Sequence, residues 1–278
     1  MRRRVGIVGC GAIGSAVAQA IERDHANAAR VVALVDPDRT AALTLQRRLT
    51  SHPPLVSLPE LIRRSDLVIE AATVSVAAEV THRALAANRD VVVMSTGGLL
   101  ARAASWQRLA QRSRAHLYIP SGALCGLDGI KAMAVGTITR IRLTTRKPPQ
   151  AFATSPFVHA KRLHLNRLRV PTVLCEGSPA QVIRAFPQNT NVAATMALAS
   201  GCFAGGSRRR RPAATVRVIA DPSLRRNVHE LEVQSDGGRL SVRVESRPSS
   251  ANPKTSELAI RSALATLKQL FAPVRIGT

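Results

Sequence analysis

Residues 4–14 read Arg-Val-Gly-Ile-Val-Gly-Cys-Gly-Ala-Ile-Gly, and the fold follows from how that stretch is parsed. Arg4 to Val8 is a short run of strand character. Gly9-Cys10-Gly11-Ala12-Ile13-Gly14 is a G-x-G-x-x-G turn, and Ile13, Val17 and Ile21, four apart, begin a helical pattern. In a strand–turn–helix setting the three glycines have separate jobs. Gly9 permits the tight turn, Gly11 lets the backbone approach a pyrophosphate, and Gly14 lets the helix close on the strand. The N–H groups at the helix start, at Ala12 and Ile13, then face phosphate with the positive end of the helix dipole behind them. A second apolar run, Val31 to Val35, ends in Asp36, 22 positions beyond Gly14. A carboxylate there accepts hydrogen bonds from an adenosine ribose and repels a 2′-phosphate. The expected cofactor is therefore NAD, with NADP second because Arg39 lies three residues on.

The alternation continues outward. Leu67 to Ala71 reads as a buried strand, Val76 to Ala87 as a helix, Val91 to Met94 as a strand, Leu100 to Ser113 as a helix and His116 to Ile119 as a further strand. Repeated units of this kind predict an α/β fold with a Rossmann-type doubly wound parallel sheet. Ligands of such sheets sit outside the carboxyl ends of the strands, which directs attention to Glu70-Ala-Ala72-Thr73, Ser95-Thr-Gly-Gly98 and Ser121-Gly-Ala123. Beyond about residue 120 the pattern changes. Ile141 to Thr144, Val228 to Val233 and Leu240 to Val244 alternate with period two, as in a sheet with one covered face. Pro179 to Arg184 and Val192 to Ser200 are helical stretches between them. This predicts a second α+β domain with a mixed sheet. A last helix is expected from Asn252 as N-cap with Pro253 at the first helical position, carrying Ile260, Leu264, Leu267 and Phe271 as one apolar stripe. The expected division is a dinucleotide-binding domain over 1–118, a substrate, catalytic and dimerisation domain over 119–248, and a C-terminal helix over 249–278.

At 278 residues the chain suits two domains of about 150 residues each. Its hydrophobic fraction of 45% excludes a largely disordered protein. The charge is unusual: 40 Lys and Arg oppose 17 Asp and Glu, for a net +23, and five of the cations are lysine, leaving 35 arginines. Such a balance raises nucleic acid as a partner. The arginines are nevertheless spread along the chain, and aromatics at 3% are too few for base-stacking platforms. Only Arg208 to Arg211 cluster, in a surface loop within 205–214. Cys10, Cys125, Cys175 and Cys202 are far apart, without metal-ligand spacing, and read as reduced thiols rather than disulfides or a zinc site. The opening Met1-Arg-Arg-Arg imitates a secretory leader, but the glycine turn and the amphipathic continuation contradict one. No apolar run approaches the roughly 20 residues of a membrane span. The expectation is a soluble, cytoplasmic protein without metal.

In the second domain, Thr144-Thr-Arg146-Lys147-Pro-Pro places two cations at the end of a strand that prolines then stop. Phe186-Pro-Gln-Asn189-Thr-Asn191 puts amide side chains before a helix N-terminus. In the alternating strand His229 shares a face with Leu231 and Val233 and should point inward. That placement suits either a satisfied core histidine or a general base with a pKa near 6.5.

These segments resemble the L-aspartate dehydrogenase family. The matching phrases are GIVGCGAIG (6–14), DLVIEAA (66–72), IPSGALCGLDGIKA (119–132), TTRKPP (144–149), FPQNTNVAAT (186–195), VRVIADPSLRRNVHE (216–230) and NPKTS (252–256). The resemblance covers the chain apart from roughly 150–172 and 203–214, the second gap containing a loop longer than the family pattern. It implies NAD- or NADP-dependent oxidation of L-aspartate to iminoaspartate, which hydrolyses to oxaloacetate and ammonia and can feed NAD biosynthesis. It also implies His229 as the active-site residue, Ala123 and Asn191 as dinucleotide contacts, a homodimer, and a final helix packed on the first domain. A substrate with two carboxylates needs fixed cations, for which Arg146, Lys147 and Lys254 are candidates, together with Asn189; arginine best matches a carboxylate bidentately. The competing readings are a related amino-acid or imine oxidoreductase of shifted specificity, and a dinucleotide-sensing protein that binds nucleic acid through its arginines.

Overall fold

The computed structural model describes residues 2–187, 191–202, 213–250, 252 and 255–277. The chain divides into two compact units, Met1–Gly122 with Ala259–Ile276, and Ala123–Leu258 with the last two residues.

The first unit is built on the glycine-turn segment. Strand β1 (Arg3–Val8) runs into α1 (Ala12–Asp24), followed by β2 (Ala29–Val35), α2 (Arg39–Arg48), α3 (Leu58–Arg64), β3 (Leu67–Glu70), α4 (Val74–Ala86), β4 (Asp90–Val93), α5 (Ala103–Arg112) and β5 (Leu117–Tyr118). The strands form one sheet in the order β2-β1-β3-β4-β5, parallel at every pairing. The strand order reverses at β1, with β2 on one side and β3 on the other, so the turns after β1 and β3 meet at the switch point where such sheets bind ligands. Val17 and Ile21 of α1 are buried with Val5, Ile7, Val31, Leu34, Leu67 and Ile69, and Ile13 packs against that cluster from a partly buried position. The four-residue spacing read from the sequence is thus a core stripe.

Two first-unit expectations need correction. The helix expected from Leu100 begins only at Ala103 as α5, after single 3-10 turns at Thr96–Gly98 and Leu100–Arg102. A Cβ at Gly98 would lie 2.2 Å from the Val74 carbonyl oxygen, so this segment is pressed onto α4 before regular helix starts. Strand β5 pairs with β4 at Leu117 and Tyr118 alone, and Pro120, which has no N–H to give a ladder, follows at once.

The second unit contains α6 (Leu127–Val135), β6 (Ile138–Lys147), α7 (Pro156–Ala160), β7 (Thr172–Gly177), α8 (Pro179–Ala185), α9 (Asn191–Ala199), β8 (Ala213–Ala220), β9 (Asn227–Ser235) and β10 (Gly238–Ser246). Its sheet runs β10-β9-β6-β8-β7 and is mixed: β6 pairs parallel with β8 and antiparallel with β9, and the other pairings are antiparallel. One face carries Ile141, Leu143, Val216, Val218, Leu231 and Val233, buried against Ile130, Val182, Phe186 and Met196 from the helices. The other carries Arg142, Arg146, Arg217, Glu230, Glu232 and Arg243, joined by ion pairs. Period-two alternation in the sequence is therefore one covered and one polar face, as strand geometry requires.

The last helix, α10 (Glu257–Phe271), starts later than the sequence suggested. Asn252 accepts from the Thr255 N–H as part of a turn, Ser256 bridges Pro248, and the Ser256 hydroxyl takes the Leu258 N–H. Ser256, four residues on, does the capping, because the chain first pairs backbone with the 247–249 segment. Pro253 and Lys254 lie outside the described residues. Ala263 and Leu267 of α10 are buried in the first unit's core, with Leu264 and Phe271 packed on it.

Candidate active site

In the first unit, Gly9 has φ +95, a left-handed backbone, and a Cβ there would lie 2.5 Å from the backbone of Ala71. The turns after β1 and β3 touch at this glycine, and a side chain would part them. At Gly14 a Cβ would come within 1.8 Å of the Gly9 carbonyl oxygen, so the helix sits directly on its own turn. Gly11 differs: a Cβ there meets no protein atom within 4 Å. Packing does not require that glycine, and the space in front of it suits a close-approaching ligand. Gly11 is also the N-cap of α1, without a side-chain cap and without an acidic residue in the first turn. The N–H groups at Ala12, Ile13 and Gly14 belong to this first turn, which no intrahelical bond satisfies. An anionic pyrophosphate fits a cradle of this kind.

Asp36 closes the cradle. Its Oδ2 accepts the Cys10 N–H at 2.6 Å and its Oδ1 accepts the Asp38 N–H at 2.8 Å, so the carboxylate at the end of β2 is fixed against the glycine turn. Asp38 in turn caps α2, accepting from Thr40 and Ala41. Burial pushes the Cys10 thiol up to about 12, reinforced by the Asp36 charge, so this cysteine is an inert filler of the turn.

After β3, Glu70 is fully buried, and its carboxylate accepts the N–H of Ala72 at 2.9 Å and of Ser95 at 3.0 Å. Burial raises its pKa, and the hydrogen bonds it accepts oppose that rise. One side chain thus ties together the ends of β3 and β4. The sequence located this segment by its place after a strand but assigned no job to the carboxylate. A charged residue ending an otherwise apolar strand was the available signal.

In the second unit, the cross-strand register sets Thr145 of β6 directly opposite His229 of β9. Both are buried, and Thr145 Oγ1 lies 3.0 Å from His229 Nδ1. Lys147, two residues further along β6, is on the same face and also buried. Burial lowers its ammonium to about 8. His229 falls to about 3, chiefly through burial and further through the Lys147 charge, so the imidazole is neutral at physiological pH. The β6 end is held by the Asp221 N–H donating to the Lys147 carbonyl at 2.9 Å, while Asp221 Oδ1 accepts from the Ser223 N–H and hydroxyl.

Arg146 must be separated from this group. Neighbouring strand residues point to opposite faces, so Arg146 cannot join Lys147 beside His229. Its Nε donates to Glu230 at 3.1 Å on the polar face, where Glu230 also accepts from Arg243 at 2.7 Å. The expected substrate role of Arg146 is therefore corrected to a structural ion pair. Ala123 is buried in the second unit's core, and Asn191 is the exposed first residue of α9. Asn189, Lys254 and the Arg208 to Arg211 run lie outside the described residues. Thr145, quoted in the sequence without a role, becomes visible only through its register with His229.

Two family models match the chain: "Homoserine dehydrogenase, NAD binding domain" over residues 9–120 and "Aspartate dehydrogenase, C-terminal" over residues 128–270. The chain is 42% identical to the L-aspartate dehydrogenase of Methanosarcina barkeri and 38% identical to that of Methanocella arvoryzae, in each case over 99% of both chains. Among solved structures, it resembles aspartate dehydrogenase from Thermotoga maritima with a TM-score of 0.73, at 23% identity and over the whole of both chains. It also resembles a homoserine dehydrogenase from Thiobacillus denitrificans with a TM-score of 0.58, at 15% identity, over 97% of this chain and 73% of that one.

Proposed function

The chain belongs to the L-aspartate dehydrogenase family, and on that footing we propose that it oxidises L-aspartate with NAD, giving iminoaspartate and, after hydrolysis, oxaloacetate and ammonia. The observation that carries the reading is a neutral, buried His229 grouped with Thr145 and Lys147 on one sheet face.

The first unit holds the dinucleotide. Gly9, Gly11, Ala12, Ile13 and Gly14 receive the pyrophosphate, Asp36 takes the ribose hydroxyls and favours NAD over NADP, and Ala72 supplies a further contact; the family resemblance assigns Ala123 and Asn191, residues of the second unit, to the dinucleotide as well. NAD, when bound, accepts the hydride from the substrate Cα. The second unit does the acid–base work. The Lys147 ammonium pairs with a substrate carboxylate. His229 Nε2 takes a proton from the substrate ammonium: that N–H bond breaks, an N–H bond forms on the ring, and a neutral amine remains. The substrate carboxylates offset both burial and the Lys147 charge, raising the basicity of the imidazole once aspartate is present. After that proton has passed to solvent, the same nitrogen can take one from the water that attacks the imine.

The family reading extends to a homodimer formed through the second unit, to slower use of NADP, and to supply of iminoaspartate for NAD biosynthesis. A cytoplasmic location suits four free, widely spaced cysteines, and no helix among the described residues is long and apolar enough to cross a membrane. NADH absorbance with L-aspartate, and with oxaloacetate plus ammonium in reverse, tests the activity. His229→Ala should lower turnover by about 10² to 10⁴ while NAD still binds. Normal turnover in that variant removes His229 from the chemistry. A much larger rate on another L-amino acid would replace aspartate as the substrate.

A further inference from the structure

We propose that Thr145 is a positioning residue for His229, its hydroxyl oxygen accepting the Nδ1–H of the ring and so keeping the Nε2 lone pair for the substrate. The proposal rests on the reading of His229 as the general base and adds the residue that makes the ring usable as one.

Register supplies the first argument. Thr145 and His229 are directly paired across β6 and β9, so their side chains leave the sheet side by side on the same face. The 3.0 Å separation of Oγ1 and Nδ1 is a hydrogen bond between two buried groups, where water does not compete. A second argument comes from the other ring nitrogen. Among the described residues, Thr145 is the hydrogen-bond partner of His229, and it bonds Nδ1. With Nδ1 engaged by the sheet, Nε2 is the ring nitrogen left for a ligand. A neutral imidazole carries one proton; if it were on Nε2, that nitrogen would be a donor and unable to take the substrate proton.

Threonine differs from the carboxylate that often orients a histidine. It fixes the ring without an anionic charge, so imidazolium gains no ion pair from its orienting partner. The charged group on the same face is Lys147, and the cross-strand neighbour of His229 on β10 is the apolar Val244. Both disfavour a resting imidazolium, so a proton taken up by Nε2 is readily passed on to solvent.

The test uses the full chain with ¹⁵N-labelled histidine. Two-bond ¹H–¹⁵N correlation spectra at pH 7.5 distinguish the tautomers, with the His229 signal assigned by its loss in His229→Asn. The expected wild-type state is Nδ1–H. Thr145→Ser should retain it with near-normal turnover. Thr145→Val, of the same shape, should move the proton toward Nε2 and lower kcat by roughly 10²-fold, within the range for an impaired general base, with the KM for L-aspartate within about twofold. An Nε2–H tautomer in the wild type overturns the proposal, as does an unchanged kcat in Thr145→Val. Should Thr145→Val not fold, the wild-type spectrum decides alone. If His229→Ala loses turnover while Thr145→Val does not, the positioning role fails and the base survives. If His229→Ala turns over normally, the base itself fails.

Discussion

Replacing Lys147 with methionine should remove a buried-charge penalty whose size shrinks in a defined way as pH rises. Burial takes the ammonium from 10.5 to about 8, a difference worth about 3 kcal/mol at 1.36 kcal/mol per decade. Below pH 8 the folded and unfolded chains both hold this proton, and the folded state carries the whole penalty. Between about 8 and 10.5 the unfolded chain keeps a proton that the folded chain has released, so stability rises with pH through that window. Linkage then gives a penalty of about 3 kcal/mol at pH 7 and about 1 kcal/mol at pH 10. Methionine has no proton to exchange. The stability difference between variant and wild type should therefore change by about 2 kcal/mol over that range, whatever constant amount the altered packing adds. Urea unfolding followed by far-UV circular dichroism at pH 7, 8, 9 and 10 measures it, with L-aspartate turnover recorded on the same samples. The variant should lose turnover, and its stability relative to wild type should be greatest at pH 7 and decline toward pH 10. A difference that stays constant across the four pH values would refute the reasoning.

The glycines of the turn should separate folding from binding. Gly14→Ala, with its Cβ 1.8 Å from backbone, should lower the melting temperature by several degrees. Gly11→Ala, in open space, should melt like wild type yet bind NAD at least about tenfold more weakly; calorimetry and NAD titration read the two effects, and equal loss of stability at both sites would count against the cradle. Asp36→Ser removes a fixed carboxylate and should move the NAD to NADP preference by about tenfold or more, roughly 1.4 kcal/mol, in paired KM measurements. Glu70→Gln turns one of two buried acceptors into a donor facing an N–H, which should cost about 1 to 3 kcal/mol in denaturant unfolding.

Much of the first unit is legible in the sequence because its signals are local. A strand, three glycines and a helix stripe each depend on near neighbours, and the acid at the end of the next strand lies 22 positions beyond Gly14. The inward face of His229 is local too, since alternation with Leu231 and Val233 fixes it. What escaped depends on pairs distant in sequence. Thr145 and His229 are 84 positions apart, and only the β6–β9 register joins them. Arg146 was attractive for its bidentate chemistry, but parity along β6 and a carboxylate at Glu230 decide otherwise. The start of α10 moved because backbone pairing of Ser256 with Pro248 precedes the helix, a contact that N-cap preference at Asn252 does not encode. Ion pairs such as those at Glu230 and Glu176 engage some of the arginines, while the net +23 prominent in the composition is the excess left after every acid is counted.

The two faces of β6 make the strand behave like a message in a two-letter frame, chemistry in one phase and electrostatics in the other. Losing one residue between Arg140 and Thr145 would be a frameshift. It would deliver Arg146 to the place of Lys147's neighbours and bury a guanidinium where a hydroxyl now meets imidazole, while Lys147 would swing toward Glu230. The register break between Ile138 and Arg140 lies upstream of every residue in that message, so length changes can be absorbed there without altering the phase. Relatives and engineered variants should therefore tolerate insertions at the start of β6 and reject them over its second half, even where the added residue is small and polar.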